Sequence, residues 1–197
     1  MTDTKKALII FARKPVLGKV KTRLAAKAGQ QKALEIYKLL LAHTRSIASS
    51  LHCDNFVFVT EAIDDNFWQG FTAEMQEGIN LGNRMNHAFD LLFSKGYQHC
   101  IIIGSDCPGL SNEIVNTAFQ SLHNNDIVIG PATDGGYYLL GMRKMIAGIF
   151  INKDWSTSKV FDQTMLDVKS QNLSCYILPQ LTDVDEIEDV PAEWLDD

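Results

Sequence analysis

Apolar strand-like runs alternate with amphipathic helix-like stretches from one end of this chain to the other, and few architectures satisfy that alternation. Ala7–Ala12 (ALIIFA) is continuously apolar, as a parallel strand buried on both faces must be. Gln31–Ala48 places Ala33, Leu34, Ile36, Tyr37, Leu40, Leu41, Thr44 and Ile47 on one helical face. Phe56–Thr60 is rich in β-branched and aromatic residues and predicts a second strand. Leu81–Phe93 is helical and Gly96 ends it. Cys100–Ile103 is a further buried strand, and Ser111 or Asn112 caps a helix that runs to about His123, with Glu113 in its first turn. Short strands follow at Ile127–Ile129 and Gly136–Met142. A helix over Ser156–Gln171 turns Val160, Phe161, Met165 and Leu166 inward, and Cys175–Leu178 forms a last strand. The pattern predicts βαβ units, a mainly parallel sheet with helices on both faces, and a single domain over 1–197.

Composition excludes several classes. The lysines before Ala7–Ala12 mimic a leader, but the apolar run is too short for a signal-peptide core and ends in Arg13-Lys14. No apolar stretch approaches the roughly 18 residues of a membrane span, so a soluble, cytoplasmic protein is expected. Cys53, Cys100, Cys107 and Cys175 show no metal-ligand or redox spacing and are expected as packed free thiols. The five histidines show no ligand spacing, with His43, His52, His99 and His123 expected at the surface, which argues against zinc.

The net charge of −6 hides an asymmetry. Eight Lys or Arg and no acid fall between Lys5 and Lys27, whereas eight acids and no base fall between Thr182 and Asp197. Overall acidity disfavours a polymeric nucleic acid. A short basic cluster suits a small polyphosphate, with plain solvated surface as the competing explanation.

In parallel sheets ligands bind outside the carboxyl ends of the strands, and here chemistry-bearing residues fall just after predicted strands. The loop ARKPVLGKVKTR carries Arg13, Lys14, Lys19, Lys21 and Arg23, and Pro15 and Gly18 shape a backbone that approaches a ligand closely. It is neither a Walker A sequence nor GxGxxG. In GSDCPGL, Asp106 lies at the sheet edge, where a hard cation could bridge it to phosphate oxygens; a turn-capping aspartate before Pro108 is the bland alternative. In GPATDGGYY, Asp134, Gly135 and Gly136 either turn a hairpin or line an acceptor pocket. In TDVDEIED, Asp183 and Asp185 share a face if Val184 points inward, and one of them could complete a Mg²⁺ site with Asp106; an acidic helix start is the alternative. Arg84 stands on the first turn of a helix, facing a nucleotide or solvent. Trp155-Ser156-Thr157 offers hydroxyls at a helix start, with Ser156 or Thr157 as a plain N-cap otherwise. Phe67, Trp68 and Phe71 form a contact patch or pack inside.

The order of FARKPVLGKVKTRLA, GINLGNRM, GSDCPGL, GPATDGGYYLLGM, Trp155-Ser156-Thr157 and TDVDEIEDV resembles a family of small GT-A-like bacterial proteins long filed as a domain of unknown function and often described as glycosyltransferases. That family is similar to the phospholactate guanylyltransferases and the molybdenum-cofactor nucleotidyltransferases, within the nucleotide-diphospho-sugar transferase superfamily. The resemblance implies a Rossmann-like, three-layer α/β/α domain and a Mg²⁺- (or Mn²⁺-) dependent transferase. It implies phosphate contacts at Arg13, Lys21 and Arg23, a metal aspartate at Asp106 and a second at Asp185. Gly18 and Arg84 join the expected nucleotide contacts, Asp134 and Lys21 join Asp106 as catalytic candidates, and Gly135, Gly136, Trp155, Ser156 and Thr157 are the acceptor candidates. The first loop departs from the Gly-x-Gly-Thr-Arg pattern of better-known nucleotidyltransferases. The expected partners are an NTP or nucleotide-sugar and a small-molecule acceptor, an oligomer being compatible. Glycosyl and nucleotidyl transfer share this site, and a nucleotide-binding module without chemistry is the alternative.

Overall fold

The computed structural model describes residues 4–62 and 66–195. Along the chain come β1 (Lys6–Ala12), α1 (Thr22–Ala28), α2 (Gln30–Ser49), β2 (Asp54–Val59), β3 (Thr72–Met75), α3 (Leu81–Ser94) and β4 (His99–Ile103). Then follow α4 (Asn112–Ser121), β5 (Ile127–Pro131), β6 (Tyr137–Met142), α5 (Val160–Ser170) and β7 (Cys175–Ile177). The strands form a seven-stranded sheet in the order β3-β2-β1-β4-β6-β5-β7. It is mainly parallel, as the alternating pattern requires; β6 runs antiparallel to both of its neighbours.

The strand period of two sorts the core into two layers. Leu8, Ile10, Val57, Val59, Ile101 and Ile103 face α1, α2 and α4, together with Val184 and Val190 near the C-terminus. Ala7, Ile9, Phe56, Phe58, Cys100 and Ile102 face α3 and α5. Helices therefore cover both faces, giving a three-layer α/β/α sandwich. Two caps fix helix starts facing the carboxyl edge: the Asn80 side chain accepts from Asn83 N (2.8 Å) at α3, and the Ser111 side chain from Ile114 N (3.3 Å) at α4. The chain runs β1-β2-β3 in one direction and resumes with β4 on the other side of β1. That reversal opens a crevice between the carboxyl ends of β1 and β4, where a ligand site is expected in such sheets.

Several elements differ from expectation. β3 (TAEM) is an edge strand with mostly exposed side chains, so it carries no apolar alternation to announce it. α1 follows the cationic loop and buries Leu24 alone. α5 begins at Val160 rather than Ser156, because Ser156 has φ 64° and Lys159 occupies the capping position. Its buried residues are Val160, Thr164 and Val168, and Leu166 is exposed rather than inward. Trp68 is buried between Phe67 and Phe71, in edge-on contact with both. All four cysteines are free thiols. Of the acidic tail, Asp196 and Asp197 lie outside the described residues. No helix among the described residues is long and apolar enough to cross a membrane.

His99, expected at the surface, is instead buried at the start of β4, its ring edge-on to His123 at 4.8 Å and its Nδ1 without a hydrogen-bond partner. Burial, with the positive fields of His123, Lys6 and Arg143, pushes its pKa down to about 4. The unfolded chain, with a histidine pKa near ~6.5, therefore binds more protons in the interval between these values. Stability falls as pH drops through that interval, by on the order of 1–3 kcal/mol from this residue. Urea unfolding at pH 7.5 and pH 5 should show a smaller acid loss in His99→Gln than in the parent; equal losses would remove His99 as the cause.

Candidate functional site

The loop that leaves β1 is pinned before it turns. The Tyr37 hydroxyl, on α2, accepts from Arg13 N (2.9 Å) and donates to Arg13 O (3.1 Å). Turns at Val16 and Lys19 follow, and Gly18 takes φ 76°, with the Gln30 side chain packed beneath it. Lys21 precedes α1 in the left-handed conformation (φ 47°, ψ 50°), which costs a long side chain on the order of 1–2 kcal/mol. The conformation delivers the ammonium inward: the Lys21 side chain is 6% exposed, with Nζ 2.7 Å from Asp106 Oδ2 and 2.7 Å from Val184 O. A carboxylate and a carbonyl offset the cost of taking that charge out of water.

Asp106 follows β4 and Ser105. Its backbone carbonyl accepts from Val184 N (2.9 Å), which seats the C-terminal segment beside it. Val184 is fully buried. Asp185 pairs with Arg23 (3.2 Å), and Glu186 and Glu188 both bind Lys27 of α1. The acidic run is thus held against the basic helix.

These segments enclose a cavity of about 540 Å³ at the switch point, within the ~300–1,000 Å³ of small-molecule sites. Arg13, Lys21, Arg23 and Arg84 line it, against two carboxylates, Asp106 and Asp185. Ser156 reaches the rim. The other anticipated residues do not line it. Gly18 shapes the loop from behind. Asp134 Oδ1 accepts from Gly136 N (2.8 Å) and closes the β5–β6 turn. Gly135, with φ 87°, packs against the Ser158 backbone so closely that a Cβ would collide with it, and its carbonyl accepts from Phe161 N (2.9 Å) at the start of α5. The Trp155 ring covers Gly82 on α3, again leaving no room for a Cβ, and the Thr157 hydroxyl donates to Asp154 O (2.7 Å).

Asp183 differs sharply from Asp185, although a period of two places them on one face. Burial first, then the negative charges of Asp106, Asp134 and Asp185, raise its pKa to about 7, with Lys21 opposing the shift. Only the tertiary packing distinguishes the two. Tyr37 and Gln76 also line the cavity, and neither belongs to a segment whose residue types alone suggest chemistry.

The donor set suits a hard divalent cation. Asp106 and Asp185 face the cavity with side chains 43% and 47% exposed, and Mg²⁺ commonly takes one or two carboxylates, completing its shell with phosphate oxygens and water. Among the described residues no cluster of three or more His, Cys, Asp or Glu is arranged to hold a metal alone.

The family described as an uncharacterized protein conserved in bacteria (DUF2064) matches residues 42–157. Among solved structures, a Desulfovibrio desulfuricans G20 protein provisionally called a nucleotide-diphospho-sugar transferase is similar with a TM-score of 0.88 and 31% identity, covering 92% of this chain and 82% of that one. CMP:2-keto-3-deoxy-manno-octonic acid synthetase, complexed with CTP, has a TM-score of 0.56 at 11% identity, covering 92% and 93%. Rv0371c from Mycobacterium tuberculosis H37Rv, in complex with manganese, has a TM-score of 0.58 at 12% identity, covering 94% and 96%. At these identities the last two share the fold alone. No curated protein matches the chain.

The buried Lys21 pair sets a stability test. Lys21→Met leaves Asp106 without its counter-charge and Val184 O without its donor. A fully buried pair broken from one side costs about 3–5 kcal/mol; with Asp106 half open to water, about 1–3 kcal/mol is expected in urea unfolding. Lys27→Met, which removes solvent-exposed pairs, should leave the midpoint unchanged. Equal effects of the two substitutions would contradict this assignment.

Proposed function

The chain belongs to the DUF2064 family of bacterial proteins, and we propose that it is a divalent-cation-dependent transferase acting on a nucleotide and a small acceptor. The observation that carries this reading is the convergence of Arg13, Lys21, Arg23 and Arg84 with Asp106 and Asp185 in one cavity at the switch point. Four cations suit the charge of a polyphosphate, and two half-exposed carboxylates suit a Mg²⁺ or Mn²⁺ that bridges to it.

Asp106 and Asp185 are the residues that would hold the cation, which when bound would neutralise phosphate charge and polarise the reacting phosphoryl group. Arg13 and Arg23 orient the phosphates. Lys21, already beside Asp106, fixes that carboxylate and adds positive charge where the leaving group develops negative charge. In nucleotidyl transfer an acceptor hydroxyl attacks the α-phosphorus, its proton is released, and the bond to the β-phosphate oxygen breaks to expel pyrophosphate. The cationic loop favours this chemistry. A second reading is favoured by the provisional assignment of the Desulfovibrio relative: the acceptor oxygen attacks the anomeric carbon of a nucleotide-sugar, and a nucleoside diphosphate departs.

One assay separates them, namely release of pyrophosphate from an NTP versus release of diphosphate from a sugar donor, with Mg²⁺ present. Under either reading Asp106→Asn should lower turnover by at least about two orders of magnitude and weaken the Mg²⁺-dependent part of nucleotide stabilisation. Full turnover in that variant, or stabilisation by nucleotide that is indifferent to both Mg²⁺ and Asp106, would overturn the proposal.

A further inference from the structure

The cavity changes character along its length. Asp106, Lys21, Arg23 and Asp185 stand beyond β4 and β1 and in the segments packed on them. The opposite end lies at the carboxyl ends of β2 and β3 and the first turn of α3, where Phe11, Thr60, Gln76, Asn80 and Leu81 line the wall. Among the described lining residues no carboxylate falls at this end, and Arg84 there donates through Nε to Gly78 O (3.2 Å). Strands β3 and β4 are separated by three steps in the sheet, about 14 Å at ~4.8 Å per step. A ligand spanning the cavity therefore places its charged part and its neutral part in different surroundings.

Two amides at the neutral end are locked in orientation by the backbone. Gln76 Nε2 donates to Phe58 O (2.9 Å) and Ala12 O (3.4 Å), the carbonyls at the ends of β2 and β1. Only an NH₂ group can donate to two carbonyls, so the flip of this amide is decided and Oε1 is the atom left over. No described residue donates to it. Asn80 is locked in the opposite sense: its Oδ1 accepts the capping bond from Asn83 N (2.8 Å), which leaves Nδ2 with hydrogens that no described residue accepts. The two lining amides thus keep one acceptor and one donor of fixed identity, in a wall that also includes Phe11 and Leu81.

We infer that this end binds the nucleobase, and that Gln76 and Asn80 read its hydrogen-bonding edge, Gln76 as acceptor and Asn80 as donor. The inference rests on the nucleotide reading above and adds the discriminating residues. Adenine and cytosine place an exocyclic amino donor beside a ring acceptor; guanine and uracil place a carbonyl acceptor beside a ring N–H. For a base held in one orientation by its ribose and phosphates, a donor and acceptor that cannot exchange roles match one of these classes and not the other. The wrong class then puts lone pair against lone pair and hydrogen against hydrogen, leaving polar groups of the contact unpaired.

Calorimetric titration with ATP, CTP, GTP and UTP, and with inorganic tripolyphosphate, each with Mg²⁺, tests this. In the parent protein the two amino-base nucleotides should differ from the two keto-base nucleotides by about tenfold or more in Kd. Asn80→Ser keeps a capping oxygen for α3 but removes the NH₂ group, its short hydroxyl ending nearer the backbone, and Gln76→Met deletes the acceptor. Each should shrink the gap to about twofold while tripolyphosphate affinity stays within about twofold of the parent. Because Gln76→Met also frees two strand-end carbonyls and is expected to lower stability, Asn80→Ser carries the test if Gln76→Met does not fold. Nucleotides that bind no better than tripolyphosphate, a spread that ignores the amino–keto division, or a gap that survives Asn80→Ser would overturn base reading by these residues. Those outcomes leave polyphosphate binding intact; absence of binding by any of the five ligands would overturn the nucleotide reading as well.

Discussion

The Lys21 ammonium, held between Asp106 Oδ2 and Val184 O at 2.7 Å from each, is the interaction on which the geometry of the site depends. It joins three stretches of chain that share no local contact: the loop after β1, the turn after β4, and the segment after β7. A buried charge has few acceptable positions, because displacement from its partners leaves it uncompensated. The left-handed backbone of Lys21 is maintained by that requirement. The pairing also means that the cation is already in place before a ligand arrives, so positioning it requires no further ordering on binding.

The exposed pairs around this centre play a different part. Arg23 with Asp185, and Lys27 with Glu186 and Glu188, lie in water and are screened by salt. What anchors the C-terminal segment is apolar burial of Val184 and Val190 together with the backbone bond from Val184 N to Asp106 O. The ion pairs then select the register in which acids face α1. The charge asymmetry of the sequence, ambiguous between solvated surface and function, reflects two runs that meet each other. Arg13, Lys14 and Lys19 form no ion pair with an acid among the described residues.

Elements with a strong period were legible without coordinates: β1, α2, β4 and α4 follow directly from apolar spacing and caps. β3 was not, because an exposed edge strand lacks the pattern that burial imposes. The reversal of β6 was not, since an apolar run carries no direction. Asp106 could be singled out because it follows a buried strand at the edge where ligands bind, with a turn-capping role before Pro108 as the competing explanation. Gly135 and Trp155 invited an acceptor role, yet each serves packing: Gly135 admits the backbone of Ser158 and Gly82 admits the Trp155 ring. Glycine beside an aromatic residue signals close approach, and sequence alone does not tell whether a ligand or the protein itself approaches. His99 was placed at the surface on residue type, and strand pairing with Lys6 of β1 buried it instead.

The antiparallel insertion of β6 closes the sheet next to β4, on the side of the cavity where Asp106 stands. Entering between β4 and β5, β6 brings Tyr138 alongside β4, where its carbonyl accepts from Gly104 N (3.2 Å) and its hydroxyl donates to Pro179 O (2.9 Å). Its ring lies so close over Gly130 that no Cβ would fit there, and Gly141 leaves a would-be Cβ only 2.6 Å from Val128 and 2.9 Å from Ile101. The hairpin therefore closes tightly and walls off the ground behind Asp106. Asp183 lies close enough to Tyr138 of β6 and to Cys107 for its charge to act on both. Asp106, Asp134, Asp183 and Asp185 interact there with Lys21 as the buried counter-charge. Burial is the first cause of the raised pKa of Asp183, and the neighbouring carboxylates add to it against Lys21. A cavity lined by four cations and two half-exposed carboxylates is electrostatically suited to a ligand that carries both signs.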